Sequence, residues 1–195
     1  MQQLIQDLLS YARVDSRGGE PQAVDLERLV NEVASDLEVV IKNSQATLEI
    51  DSLPVVMGEP TQFRQLFQNL VGNALKFQVD GRKPLVAIKC TDVDITSSSD
   101  LGLAPGAYHR VSVKDNGIGF RPEFASKIFE VFERLHSRSE YSGTGIGLAI
   151  CKKIARKHGG DIIATGQEGE GAEFTIFLPV QAELEALNLA HENQG

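Results

Sequence analysis

Residues 65–77 read Gln65-Leu66-Phe67-Gln68-Asn69-Leu70-Val71-Gly72-Asn73-Ala74-Leu75-Lys76-Phe77. From Thr61 to Phe77 apolar side chains recur at Phe63, Leu66, Phe67, Leu70, Val71, Ala74 and Leu75, the period of one helix face, and Gly58-Glu59-Pro60 opens the helix with proline at its start. Asn69 and Asn73 are four residues apart and Lys76 is three further on, so two amides and an ammonium project from one side of that helix. An exposed polar stripe would account for the amides alone. A metal-bound polyphosphate would account for all three groups, because an amide oxygen is a hard ligand suited to Mg²⁺ and an ammonium neutralises phosphate.

Two further stretches decide between those readings. Asp115-Asn116-Gly117-Ile118-Gly119-Phe120 follows a segment in which Val111 and Val113 alternate with polar residues, so Asp115 stands at a strand end as a free acceptor. By itself Asp-Asn-Gly also closes an ordinary tight turn. Gly143-Thr144-Gly145-Ile146-Gly147-Leu148 leads directly into a helix and offers unpaired backbone N–H groups and a helix dipole to an anion. Its spacing is neither the dinucleotide fingerprint nor the P-loop.

The surrounding chain constrains the class. Its 195 residues fit one domain plus a short appendage, and 42% hydrophobic with 24% charged residues is the composition of a globular protein. With 19 basic against 27 acidic residues the net charge is -8, the opposite of a nucleic-acid footprint, so an anionic ligand must be held locally. Cys90 and Cys151 are too few for a disulfide framework and suit a reducing, cytoplasmic compartment. No apolar run reaches the roughly 18 residues of a membrane span, and no signal peptide opens the chain.

Residues 1–16 carry a narrow apolar stripe through Leu4, Ile5, Leu8 and Leu9 and read as a helix that needs a partner; 17–24 read as a linker, with the main domain opening near Gln22. The domain's body is 25–180, and 181–195 form a polar tail. Asp25 is the expected N-cap of a helix running through Leu26, Leu29, Val30, Val33, Leu37, Val40 and Ile41. Strands are expected at Thr47–Ile50, Val55–Val56, Leu85–Thr91, Tyr108–Asp115, Asp161–Thr165 and Ala172–Val180, with further helix at Phe124–Leu135 and Gly145–Lys157. Strands and helices do not alternate regularly, which predicts an α+β, two-layer sandwich with helices on one face of a mixed, largely antiparallel sheet.

In this order and spacing, the stretches resemble the ATP-binding catalytic domain of sensor histidine protein kinases, within the gyrase, Hsp90, histidine kinase and MutL superfamily. Gln65–Phe77 resembles the asparagine box, Asp115–Phe120 the first glycine box, Ile128-Phe129-Glu130-Val131-Phe132 the phenylalanine box and Gly143–Leu148 the second glycine box. The likeness covers about Leu26 to Pro179, and Phe132–His136 with Glu140–Gly145 looks like the subset linked to PAS and phytochrome sensors. It implies a Bergerat-type ATP-binding fold in which Asp115 binds the adenine amine, Asn73 ligates Mg²⁺, Asn69 lies beside the triphosphate and Lys76 neutralises phosphate charge. Gly117 and Gly119 would let the backbone approach adenine, and the backbone of Gly143, Thr144, Gly145, Ile146, Gly147 and Leu148 would hold the phosphates. Residues 120–142 would form a lid packed down by Phe129 and Phe132. Arg134 would reach the γ-phosphate or remain a solvated arginine. Ala172 and Glu173 lack the small hydroxyls common in the family at that strand, which leaves a water-mediated adenine contact without its usual partner.

The implied activity is transfer of the γ-phosphoryl of Mg-ATP to a histidine on a separate hairpin, then to an aspartate of a response regulator. An ATP-gated interaction module and an anti-sigma-type serine kinase are the alternatives. Residues 1–16 look like the end of the dimerisation and phosphotransfer hairpin, so the expectation is a monomeric catalytic fragment of a homodimeric parent, with no membrane contact of its own. His109, His136, His158 and His191 all lack the acceptor context, and His158, before Gly159-Gly160, reads as a cation on a helix C-terminus. In gyrase- and Hsp90-like relatives a glutamate stands where Asn69 does.

Overall fold

The computed structural model describes residues 2–16, 20–96, 102–135 and 143–180. Along the chain run α1 (Gln2–Ser16), β1 (Gln22–Asp25), α2 (Leu26–Asp36), α3 (Glu38–Ser44), β2 (Thr47–Ile50), β3 (Val55–Gly58), α4 (Pro60–Lys76), β4 (Leu85–Ile95) and β5 (Gly106–Asp115), followed by α5 (Gly147–Lys157), β6 (Asp161–Gln167) and β7 (Gly171–Pro179). The main sheet has the order β2-β4-β5-β7-β6, parallel only between β2 and β4, so the expected mixed, largely antiparallel sheet is present.

Alternation places Val86 and Ile88 of β4, Val111 and Val113 of β5, Ile162 of β6 and Ile176 of β7 in the core. Against them pack Leu26, Val30 and Val33 of α2, Phe63, Phe67 and Leu70 of α4 and Ile150 and Ile154 of α5, all buried. The opposite sheet face carries a smaller cluster of Leu103, Tyr108 and Phe177. This leaves α4, the end of β5 and the start of α5 converging at one end of the molecule, which is where the polar motifs lie.

Four local expectations need correction. The helix from Asp25 does begin as expected, with the Asp25 carboxylate accepting from Arg28 N–H at 2.9 Å, but it stops at Leu37 and restarts as α3. Leu37 and Ile41 stay partly buried against the core, but Val39 and Val40 are 69% and 47% exposed, so the apolar face is only half covered beyond Asp36 and the helix turns there. Gln22–Asp25, at the end of the linker segment, pairs antiparallel with Val55–Gly58 as a two-stranded sheet. Phe124–Leu135 is not an α-helix: 3₁₀ turns at Pro122–Phe124 and Lys127–Phe129 are followed by irregular chain in which Phe132 has φ +70°. Finally, His158 is not a cation. Its Nε2 accepts from Glu59 N–H at 3.1 Å, its Nδ1–H donates to the Ile154 carbonyl at 2.8 Å, and its ring lies 4.4 Å from Phe63. Both nitrogens are satisfied in the neutral form, and burial pushes the pKa below the usual imidazole range. The tail 181–195, and the lid residues 136–142, lie outside the described residues.

Candidate functional site

A cleft of about 380 Å³ opens where α4, the end of β5 and the N-terminus of α5 meet. From α4 it receives Asn69, Asn73 and Lys76, as the i, i+4, i+7 spacing requires. Strand β5 ends in Asp115, and Gly119 follows; Gly143, Thr144, Gly145, Gly147 and Leu148 form the opposite rim, with Arg134 beside them. Eleven of the thirteen residues expected at a site therefore line one cleft, while Gly117 and Ile146 do not.

Asp115 is held for recognition by its own backbone neighbours. Oδ1 accepts from Gly117 N–H at 2.8 Å and Ala172 N–H at 3.2 Å, and no described residue donates to Oδ2. Burial pushes the carboxyl above its ordinary pKa, with the two N–H groups pulling it back. Ala172 thus contributes through its N–H, where the sequence drew attention to its missing hydroxyl.

The glycines of this turn serve the chain's own packing first. A Cβ on Gly117 would overlap the carbonyl oxygen of Phe77, and Gly119, at φ +62°, would overlap that of Gln167. The turn is consequently pressed between the end of α4 and the β6–β7 turn, and this fixes Asp115 at the cleft. Ile146 is fully buried and precedes α5, so its side chain anchors the glycine run in the core.

On the α4 side, Asn69 Nδ2 donates to the Gly147 carbonyl at 3.2 Å and ties the helix to the start of α5. The Asn73 amide lines the cleft and makes no hydrogen bond with a described residue. Burial lowers the pKa of Lys76, and the neighbouring Arg134 guanidinium lowers it further, while its ammonium sits 4.5 Å from the Phe77 ring centroid. Two cations thus face one cleft, which favours occupation by a polyanion.

The lid's anchoring differs from the expectation. Phe129 is buried and meets Phe174 edge-on at 6.4 Å, but Phe132 is 55% exposed and packs nothing down. Instead its N–H donates to the Gly145 carbonyl at 3.0 Å, fastening the lid base to the glycine run through backbone.

Asp7 and Glu133 also line the cleft and were not singled out in the sequence. Asp7 comes from α1, whose last turn lies on α5; no local pattern reveals a contact made by helix docking. The apolar walls include Ile118, Phe120 and Ile128, which the sequence placed within the family boxes without a role as cleft wall, and Phe174, read only as part of a strand. Together, a half-buried carboxylate, an apolar slot, two cations and a glycine run at a helix start define a nucleotide-type cleft.

Comparison with known proteins places it further. Residues 58–182 match the family described as histidine kinase-, DNA gyrase B-, and HSP90-like ATPase, and the chain belongs to that family. It is 39% identical over 180 residues to the phytochrome-like protein Cph1 of Synechocystis sp., and 42% identical over 180 residues to cyanobacterial phytochrome A of Nostoc sp.. Each alignment covers 92% of this chain but only 22% of the relative, so the chain spans about a fifth of their length. Among solved structures, full-length ShkA in complex with AMPPNP superposes with a TM-score of 0.67 at 29% identity, covering 92% of this chain and 36% of that one. The catalytic domain of histidine kinase ThkA gives 0.64 at 28% identity, covering 83% and 96%. Among the described residues no helix is long and apolar enough to cross a membrane.

Proposed function

We propose that this chain is the ATP-binding catalytic domain of a sensor histidine kinase and donates the γ-phosphoryl of ATP to a histidine on a separate phosphotransfer hairpin. The observation that carries the reading is the convergence of the half-buried Asp115 carboxylate and the Lys76 and Arg134 cations on one cleft rimmed by Gly143–Leu148. Asp115 accepts the exocyclic amine of adenine, which a guanine, with an oxygen there, cannot supply. Backbone N–H groups of the glycine run and the start of α5 hold the phosphates. Lys76 and Arg134 offset the charge on the transferring group, and Asn69 keeps α4 and the glycine run in register beside the triphosphate.

The donor set fits Mg²⁺, because the Asn73 amide offers a hard oxygen within the cleft and would hold the ion there. Held there, Mg²⁺ would supply positive charge that offsets the charge of the phosphates. The remaining work is positioning by the chain itself, with the nucleophile brought by the acceptor imidazole.

In this reading residues 1–16 belong to the hairpin, 25–180 form the catalytic domain, the phosphoryl passes on to a response-regulator aspartate, and the setting is cytoplasmic. The test is incubation of the chain with γ-labelled ATP, Mg²⁺ and a separately prepared acceptor hairpin. Acid-labile label on the hairpin's histidine is the expected result. ATP binding without transfer would make the chain an interaction module, and acid-stable label on serine would make it a serine kinase.

A further inference from the structure

At the far end of the β4–β5 ladder from the cleft, three different ligand types meet on one side of the sheet. Asp92 stands directly opposite His109 in the antiparallel register, and Cys90, two residues before Asp92, shares its face. Cys90 Sγ, a carboxylate oxygen of Asp92 and a ring nitrogen of His109 all lie within 4.8 Å of one another, and His109 Nδ1 is 2.7 Å from Asp92 Oδ1. The group is placed at the rim of the core: Cys90 is half-buried, the His109 side chain is 16% exposed and that of Asp92 76% exposed.

We propose that Cys90, Asp92 and His109 form a binding site for a borderline divalent cation of the zinc class, separate from the nucleotide cleft. A His–Asp ion pair alone would explain two of the three residues. It does not explain why a thiol converges on the same point from the adjacent position of the ladder. Sulfur, imidazole nitrogen and carboxylate oxygen are the zinc ligand set, with bonds of about 2.0–2.3 Å. The exposed Asp92 carboxylate has room to swing outward and admit an ion between itself and His109 Nδ1, and its solvent side leaves a fourth position for water. The other two ligands are set by paired strands, so little ordering is needed on binding.

The step balances with one proton. The Cys90 S–H bond breaks, its proton passes to solvent and Sγ binds the ion, while the His109 ring hydrogen, on Nδ1 in the contact with Asp92, is exchanged through solvent to Nε2 and leaves Nδ1 free to bind. Thiolate and imidazole select against Mg²⁺, which prefers all-oxygen shells, so nucleotide-associated magnesium does not compete. His109 and Asp115 are six residues apart on β5, about 20 Å at 3.3 Å per residue, so the ion acts on the fold and not on the transferring phosphate. It would clamp β4 to β5 beside the loop that joins them.

The experiment is calorimetric titration of Zn²⁺ into the untagged chain in excess Mg²⁺, paired with Co²⁺ absorption. One tight equivalent is expected, with a thiolate-to-cobalt charge-transfer band and a raised melting temperature. Cys90→Ser should abolish the band and, like His109→Gln, weaken zinc at least tenfold, while both variants keep ATP binding. Absence of a stoichiometric equivalent would overturn the proposal. So would zinc affinity unchanged in His109→Gln, a surface-rim substitution that decides the matter even if Cys90→Ser does not fold.

Discussion

The Thr144 hydroxyl donates to the Asp7 carboxylate at 2.5 Å, joining the glycine run to a helix 137 residues earlier. The bond closes a wider contact between α1 and α5. Lys153 Nζ donates to the Tyr11 carbonyl at 2.9 Å and lies 4.3 Å from the Tyr11 ring centroid. Lys157 Nζ donates to the Val14 carbonyl at 2.6 Å, and Val14 itself is buried. Ammonium groups thus meet carbonyls in the last turns of α1, where the helix dipole is negative, and Lys157 satisfies one of the end carbonyls, that of Val14. Asp7 is held at the glycine rim of the cleft as a consequence.

A carboxylate in that position opposes an arriving triphosphate. Asp7→Asn keeps the shape and an acceptor for Thr144 but removes the charge, so ATP affinity should rise. Roughly 1 kcal/mol, the water-limit value for unit charges about 4 Å apart, corresponds to about fivefold. Titration of ATP and adenosine into both proteins checks this. Adenosine affinity should not change, and equal or weaker ATP binding in Asp7→Asn would show that the Asp7 charge does not face the phosphates.

Asp115 sets function against stability. Its carboxyl has a raised pKa, so the folded state holds the charged form at a cost, and that cost is absent once the group is protonated. Asp115→Asn retains an oxygen for the Gly117 and Ala172 N–H groups without the half-buried charge. In the absence of nucleotide it should melt higher than wild type near pH 7, and the gap should close as pH falls toward about 4 and wild-type Asp115 takes up its proton. ATP affinity should meanwhile drop by about 1.5–3 kcal/mol, the worth of a charge-assisted hydrogen bond. Thermal melts across pH with calorimetry at pH 7 measure both. A variant that binds ATP normally would move base recognition elsewhere.

What could be read from the chain followed how local the determinants are. Helix α4 was legible because eight of its side chains are buried at a helical period, and Asn69, Asn73 and Lys76 inherit their common direction from it. Strands β4 and β5 were legible near their centres by alternation, though their pairing extends out to Ile95 and Gly106. Strand β1 was hidden because only Val24 of its four residues is buried and its partner lies some thirty residues on. The break at Leu37 was hidden because Val39 and Val40 continue the apolar rhythm while facing solvent. At the cleft, recurrent motifs pointed to polar residues that the fold brings together, Asn69, Asn73, Lys76, Asp115 and Arg134. Asp7 and the exposure of Phe132 depend on how distant segments dock, which no window of sequence contains.

His158 makes the fold sensitive to acid. Its folded pKa is depressed chiefly by burial, so as pH falls below about 6.5 the unfolded chain takes up a proton before the native state does. The stability this group contributes is present above that pH and is lost as pH falls through the folded pKa. His158→Gln cannot titrate, and urea unfolding between about pH 7 and 5 should show a shallower loss of stability than wild type. Identical slopes in the two proteins would mean that His158 charges freely in the fold, against the neutral ring pinned between Glu59 N–H and the Ile154 carbonyl.

Asn69 governs what the cleft does with water. An amide has no useful basicity, and its Nδ2 is already committed to the Gly147 carbonyl, so Asn69 cannot draw a proton from an attacking water. Two of the cleft's carboxylates are engaged: Asp115 accepts two backbone N–H groups, and Asp7 accepts the Thr144 hydroxyl. Glu133 is the other carboxylate among the described lining residues, and it stands at the lid base beside Arg134. Incubated alone with Mg-ATP, the chain should therefore release phosphate slowly and carry no acid-labile phosphohistidine. An acceptor imidazole brings its own nucleophilic nitrogen and needs no general base, so adding an acceptor hairpin should produce labelling much faster than the hydrolysis it competes with. Glu133→Gln should leave the slow phosphate release unchanged. Rapid Mg-dependent hydrolysis that vanishes in Glu133→Gln would instead identify a water-activating base and move the chain toward the ATPase members of its family, and stoichiometric label on His109 or His158 would place the acceptor within the chain itself.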